Sequence, residues 1–230
     1  MSLTVVIGNK NYSSWSMRPW VLLKQFDISF EELMLKFESP EWDANIARMA
    51  PTRKVPTLWD GDAGATSSTP VWETIAIIEY IADRFPQLDI WPRDVAARAM
   101  ARAVSAEMHA GFQALRANMP MNIRSHHPGK GMQSGVAEDI ARIEAIWRIA
   151  RERFGSLTDA PFLFGQFSAA DAMFAPVVMR FLTYTPPLTT ATSQYCEAMR
   201  SAPGIATWIS EAQLETEFVG FDEPYASPPA

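Results

Sequence analysis

The hydrophobic and polar positions of this chain change rhythm near residue 86. Before that point, short apolar runs alternate with stretches of helical spacing. Leu3-Thr4-Val5-Val6-Ile7 is an apolar run closed by Gly8 and Asn9, which predicts a buried strand. Trp20-Val21-Leu22-Leu23-Lys24-Gln25-Phe26 has helical spacing. A second strand follows at 30–35, with weaker alternation, and a short helix at 41–49 is stopped by Pro51. Residues 55–59 and 70–72 predict two more strands, separated by a turn rich in Gly, Ser and Asp. In 74–85, Ile75, Ile78, Ile81 and Ala82 share one face, which predicts an amphipathic helix. The order β-α-β-α-β-β-α is thioredoxin-like and favours a mixed sheet covered on both faces.

Residues 86–94 form a linker with two prolines, and everything beyond it has helical spacing. The pattern predicts one long Ala-rich helix at 95–116 and a second helix at 135–154, with Ile140, Ile143 and Trp147 on its apolar side. A third, at 168–182, is so apolar that it belongs at the centre. Two shorter helices follow near 193–200 and 205–214, and the proline-bearing tail 222–230 is expected to fray. The predicted fold class is therefore α/β plus all-α: a thioredoxin-like domain over 1–86, then an all-helical domain over 95–230.

Composition narrows the function. Hydrophobic residues make up 48% and charged residues 20%, as in an ordinary soluble globular protein. A net charge of −6 without a long basic run argues against nucleic acid as a partner. The N-terminus has no basic stretch before its short apolar run, so no signal peptide is expected. No stretch approaches the ~20 apolar residues of a membrane span. A single cysteine, Cys196, excludes an internal disulfide and a cysteine-based zinc cluster. The three histidines, two of them adjacent at His126 and His127, have no metal-ligand spacing. The expectation is a cytoplasmic protein with no metal, no nucleic acid and no membrane partner.

Three short segments carry the candidate chemistry. The turn Asn11-Tyr12-Ser13-Ser14-Trp15-Ser16-Met17-Arg18-Pro19-Trp20 follows the first strand and leads into the first helix. Pro19 is tolerated near a helix start, which places that start near 14–16. Hydroxyls here can donate to an anion beside a helix N-terminus, although serines at this position also cap helices. Lys54-Val55-Pro56 precedes the third strand, and Glu73-Thr74 opens the third helix with an acid and a hydroxyl. In the second half, Ser168-Ala169-Ala170-Asp171 reads as a capping box before the apolar helix, a structural feature. Met108, Phe112 and Leu115 fall on one helical face, and His109, Arg116 and Arg124 could bind an anionic or carbonyl group. Cys196 reads as a buried apolar filler.

In their order and setting, the three segments resemble the glutathione-binding half of the glutathione S-transferase family. The two-domain plan extends that resemblance over nearly the whole chain. The resemblance implies that glutathione binds the first domain, that its thiol is ionised there, and that the thiolate attacks a small-molecule electrophile held against the second. The turn is similar to the Ser-Ser-Cys-x-x-Arg stretch of the zeta-like class, which implies Ser13 as the catalytic serine and Ser14 as the second candidate; Tyr12 remains a possible donor, since other classes use tyrosine. Lys54 would meet the glycyl carboxylate. The Val55-Pro56 bond would be cis and present the Val55 backbone to the cysteinyl unit. Glu73 would take the glutamyl ammonium, and Thr74, capping the third helix, the γ-glutamyl carboxylate. Tyr12, Trp15, Met108, His109, Phe112 and Arg116 would wall the electrophile pocket, with Trp42 adding aromatic surface. Trp15 stands where the zeta-like pattern has cysteine, and Trp20 replaces the second basic residue of its Arg-Val-Arg run. The first departure argues against thiol–disulfide exchange, and both weaken transfer of the zeta-type maleyl-keto acid substrate. Family members usually form homodimers. Two alternatives stay open: a glutathione-dependent isomerase similar to maleylacetoacetate isomerase, and a non-catalytic transferase-like binding module.

Overall fold

The computed structural model describes residues 2–155 and 160–226. Its first half is built on β1 (Leu3–Ile7), α1 (Ser14–Gln25), β2 (Phe30–Met34), α2 (Pro40–Met49), β3 (Thr57–Asp60), β4 (Thr69–Trp72) and α3 (Thr74–Arg84). The sheet order is β2-β1-β3-β4. β1 runs parallel to β2, with Leu3 opposite Phe30 and Ile7 opposite Met34. β3 lies antiparallel to both β1 and β4. β1 sits inside the sheet and is buried along its whole length, which is why it reads as a continuous apolar run. α1 and α3 share one core with Val5 and Ile7, while Ile46 of α2 and Ala50 just after it pack against Val6, Leu35 and Trp59 on the other face. The mixed sheet is thus covered on both sides, as its pattern predicts. β3 begins at Thr57 and not at 55, because Pro56 has no N–H to give to a ladder.

The second half is helical: α4 (Val95–Ala110), α5 (Gln113–Asn118), α6 (Val136–Phe154), α7 (Ala169–Tyr184), α8 (Thr190–Ser201) and α9 (Pro203–Ala212), followed by a 3-10 turn at Gly220–Asp222. The single helix expected over 95–116 is broken. Phe112 takes a left-handed conformation (φ 58°) between α4 and α5, and a Cβ on Gly111 would lie 2.8 Å from the Glu107 carbonyl. α7 is buried almost throughout and packs against α1 and α4, so the two halves share one core. Its capping box is present. Asp171 accepts hydrogen bonds from Ser168 N and Oγ on one oxygen and from Leu163 N and the Tyr195 hydroxyl on the other. Burial pushes the Asp171 carboxyl up to about 6, and those four donors pull the other way.

The tail expected to fray does not do so over its first residues. Asp222 and Glu223 are buried, and the Tyr225 hydroxyl donates to the Asn118 carbonyl at 2.7 Å. Residues 227–230 of that stretch lie outside the described residues.

Candidate functional site

The serine turn is held from both halves of the chain. The Asn9 carbonyl accepts the N–H groups of Tyr12 and Ser13 at 3.2 and 2.8 Å. Lys10 and Asn11 donate their backbone N–H groups to the Glu215 carboxylate at 2.6 and 3.1 Å. Asn11 also accepts the Arg124 N–H at 2.8 Å and donates to Asn122 at 2.9 Å, which ties the turn to the loop after α5. Lys10 is buried against Trp20 and Trp208, where it pairs with Glu32 and Glu211. A turn anchored at so many points presents its side chains in a fixed geometry.

Ser13 occupies the N-cap position of α1, but its hydroxyl caps nothing. It donates instead to Ser16 Oγ at 2.7 Å, and Ser16 also accepts the Gly8 N–H at 3.2 Å. Ser14 is half-buried, and its hydroxyl makes no hydrogen bond among the described residues. Tyr12 is fully committed elsewhere. Its hydroxyl lies 2.7 Å from Glu223 Oε1 and 3.1 Å from the Glu217 carbonyl, and it accepts from Arg124 at 3.0 Å. Burial and the Glu223 partner raise its pKa above the usual tyrosine value.

Pro19 lies inside α1, which starts at Ser14, within the 14–16 range that the sequence suggested. Lacking an N–H, it leaves the Trp15 carbonyl without its helical partner. Thr74 Oγ1 donates to that carbonyl at 3.3 Å and so ties the start of α3 to the start of α1. Thr74 therefore does not cap α3; it is the first helical residue, and Glu73 is the N-cap, with no side-chain cap bond. Glu73 has φ 64° and ψ 121°, a conformation unfavourable to any residue with a Cβ. Its carboxylate is exposed and lies 3.6 Å from His109 Nε2. Val55-Pro56 is the described cis peptide bond, and the Val55 N–H and C=O make no backbone hydrogen bond among the described residues.

Between these segments and the helical half lies a cavity of about 500 Å³. It brings together Tyr12, Ser13, Ser14 and Trp15 with Lys54, Val55, Trp42 and Arg116. His109, Glu73 and Thr74 sit outside its lining, joined to it through Trp15, whose ring meets the His109 ring edge-on at 5.1 Å. Pro56 also lies outside the lining, at the entry to β3. Met108 and Phe112 do not reach the cavity; both are buried in the shared core, Met108 on the buried face of α4 with Ala97, Ala101 and Val104. Cys196 is also buried, and burial pushes its thiol up to about 12. A larger cavity, about 660 Å³, lies between α6 and α8, but none of the sequence-singled site residues lines it.

Sequence reading passed over Arg180 and Asp222, which both line the 500 Å³ cavity. Arg180 sits in the apolar run of α7, where a lone cation was the available signal. Asp222 lies in the patternless tail. Among the described residues no group of His, Cys, Asp and Glu is arranged to hold a metal ion, and no helix is long and apolar enough to cross a membrane.

A thioredoxin-like half with a cis-proline before its third strand, joined to a helical half across a cavity edged by a serine turn, defines a class of two-domain proteins. Models of the glutathione S-transferase N-terminal and C-terminal domains match residues 12–84 and 133–211. The chain belongs to the glutathione S-transferase family. Its fold is similar to that of a glutathione transferase homologue from Burkholderia gl BGR1 solved with bound glutathione (TM-score 0.68, 20% identity, 93% of this chain and 99% of that one). It is similar also to glutathione transferase Omega 2S from Trametes versicolor (TM-score 0.68, 19% identity, 93% and 96% covered). A probable maleylacetoacetate isomerase of Caenorhabditis elegans is 33% identical over 103 residues; the match spans 44% of this chain and 44% of that protein, less than half its length.

Proposed function

We propose that this glutathione S-transferase binds glutathione along the Val55 edge and the start of α3, ionises its thiol with Ser13, and directs the thiolate at a small electrophile in the 500 Å³ cavity. The observation that carries the reading is the Ser13 hydroxyl, which lies at the cavity wall, at a helix N-terminus, and caps nothing. A free thiol of pKa about 8.5 is mostly protonated at neutral pH. A hydroxyl and a helix N-terminus both favour the charged form, and both are on hand here. To serve the sulfur, Ser13 must turn its O–H away from Ser16. The thiol proton then leaves to solvent. The thiolate's electron pair forms a C–S bond to the electrophile, and a leaving group departs with its own pair or the adduct takes up a proton. The commitment of Tyr12 to Glu223 and Arg124 counts against it as the donor.

In this reading Lys54 meets the glycyl carboxylate, Glu73 the glutamyl ammonium and Thr74 the γ-glutamyl end, with a two-fold homodimer as the working assembly. A second reading, isomerisation, is favoured by the partial match to the probable maleylacetoacetate isomerase. There the C–S bond forms, a neighbouring bond rotates, and the C–S bond breaks to return the thiolate. Product analysis separates the two, and failure of retention on immobilised glutathione would favour a non-catalytic module.

Ultraviolet titration of thiolate absorbance in the glutathione complex tests the mechanism. Ser13→Ala should raise the bound thiol's pKa by about one to two units, at ~1.36 kcal/mol each, and leave glutathione affinity nearly intact. A shift confined to Ser14→Ala would move the role to Ser14. No shift in either variant would end the serine mechanism.

A further inference from the structure

Three arginines, Arg18 of α1, Arg116 of α5 and Arg180 of α7, lie close enough for their charges to act on one another. Arg18 and Arg180 are 1% and 4% exposed, and Arg116 is half-buried. Burying a guanidinium is costly unless a carboxylate balances it. Elsewhere this chain, with its net charge of −6, supplies such partners: Lys10 has Glu32, Arg102 has Glu79 and Arg142 has Glu107. The three arginines have no ion pair within 4.0 Å among the described residues, and they satisfy themselves on backbone carbonyls. Arg18 donates to Met173 O and Ser14 O, both at 2.9 Å. Arg180 donates Nε to Met119 O at 2.8 Å and Nη1 to Pro176 O at 3.1 Å, and its Nη2 has no hydrogen bond among the described residues. Among the described residues the hydrogen bonds of Arg116 are long, 3.4 Å to both His109 O and Gly111 O. The Arg18 and Arg116 guanidinium groups both stand over the Trp15 ring, 4.2 and 4.5 Å from its centroid. Carbonyls orient these groups but do not neutralise them. Burial and the charge of Arg116 bring Arg180 down to about 10, which still leaves it charged at neutral pH.

Arg116 and Arg180 both line the cavity. The one carboxylate among its lining residues is Asp222, which is in no ion pair with Arg180. Glutathione's own carboxylates are served, in the proposed function, by Lys54 and the α3 terminus. The inner arginines are left over. A guanidinium fork matches the two oxygens of a carboxylate.

We infer that Arg180 and Arg116 form a carboxylate subsite for the electrophile, and that Asp222, on the C-terminal segment, is the internal counter-charge with which the substrate's carboxylate competes. The inference rests on the transferase reading for its substrate but not for its binding. The second substrate is then an electrophile that bears a carboxylate, and Arg180 is a specificity-determining residue.

The test is calorimetry with 4-chloro-3-nitrobenzoate and its neutral counterpart, 4-chloro-3-nitrobenzamide, on protein free of glutathione and on protein saturated with unreactive S-methylglutathione. The benzoate should bind the native chain roughly ten- to a hundred-fold more tightly than the benzamide, the range of a charge-assisted pair. Arg116→Gln and Arg180→Lys should each remove most of that preference. Asp222→Asn should tighten the benzoate a few-fold and leave the benzamide unchanged. Arg116 is half-buried, so Arg116→Gln and Asp222→Asn carry the test if Arg180→Lys does not fold. Equal affinity for acid and amide in the native chain, or a preference that survives Arg116→Gln together with an Asp222→Asn variant that tightens nothing, overturns the inference. S-methylglutathione binding alongside that result leaves the transferase reading standing. Arginine-dependent benzoate binding without S-methylglutathione binding would instead sink the transferase reading and keep the subsite.

Discussion

Glu73 carries two roles that a pair of substitutions can separate. Its backbone, at φ 64°, sits in the region that favours glycine, and such strain costs ~1–3 kcal/mol. Its exposed carboxylate faces His109 at 3.6 Å and is offered in the proposed site to the glutamyl ammonium. Glu73→Ala should keep the strain and lose the charge, weakening glutathione binding by about one to two powers of ten with little change in stability. Glu73→Gly should lose the same affinity but gain about 1 kcal/mol of stability from the relaxed backbone. Calorimetry and thermal melting read the two effects, and unchanged affinity in both variants would take Glu73 out of the site. The sequence singles out Glu73, Ser13 and Val55 as candidates because each lies in a short segment between elements; the structure sets Ser13 and Val55 in the cavity lining and Glu73 outside it. Arg180 was not legible in the sequence, because the apolar run around it reads as core. Tyr12 was open in the sequence; only the approach of Glu217, Glu223 and Arg124, more than a hundred residues away, commits its hydroxyl.

At the scale of elements, α1 is the hinge of the design. It carries the serine turn, packs on the sheet with α3, and is gripped from outside by α7 and α9. The grip of α9 depends on Gly204, whose N–H donates to Gln25 Oε1 at 3.1 Å. A Cβ there would stand 2.7 Å from the Val21 carbonyl and 3.1 Å from the Gln25 nitrogen, both backbone atoms of α1 that cannot swing aside. Gly204→Ala should therefore push the two helices apart and destabilise the protein by ~1–3 kcal/mol in equilibrium denaturation. An unchanged midpoint would mean that α9 moves off α1 freely. Periodicity found α3, α6 and α7 because each buries a regular face or is buried all round. It missed the break between α4 and α5, because Met108, Phe112 and Leu115 keep helical spacing through it. Nothing in that spacing reveals that Phe112 turns left-handed.

Across the whole molecule, the C-terminal segment returns over the site it follows by two hundred residues. Glu215 holds the backbone of Lys10 and Asn11, Glu217 pairs with Lys36, and Glu223 meets Tyr12. The lack of hydrophobic pattern hid this, since the segment docks through carboxylates and backbone and not through an apolar face. Asp222 makes that docking depend on pH. Burial raises its carboxyl to about 7, against the lowering pull of Arg180 and with the help of Glu223 and Glu38. A carboxyl whose pKa is higher folded than unfolded binds its proton more tightly in the folded state. Its contribution to stability is fully present below the ordinary aspartate value and is lost as pH rises through about 7. The segment should thus loosen between roughly pH 4 and pH 7, by a few kcal/mol at most. Hydrogen exchange at 214–226, followed across that window, should show falling protection in the native chain and a much flatter profile in Asp222→Asn. Parallel profiles in the two proteins would show that Asp222 titrates without coupling to the docked segment. The Glu217 carboxylate, which Lys36 holds below its usual range, works in the opposite sense and at lower pH, so the comparison with Asp222→Asn isolates the Asp222 contribution.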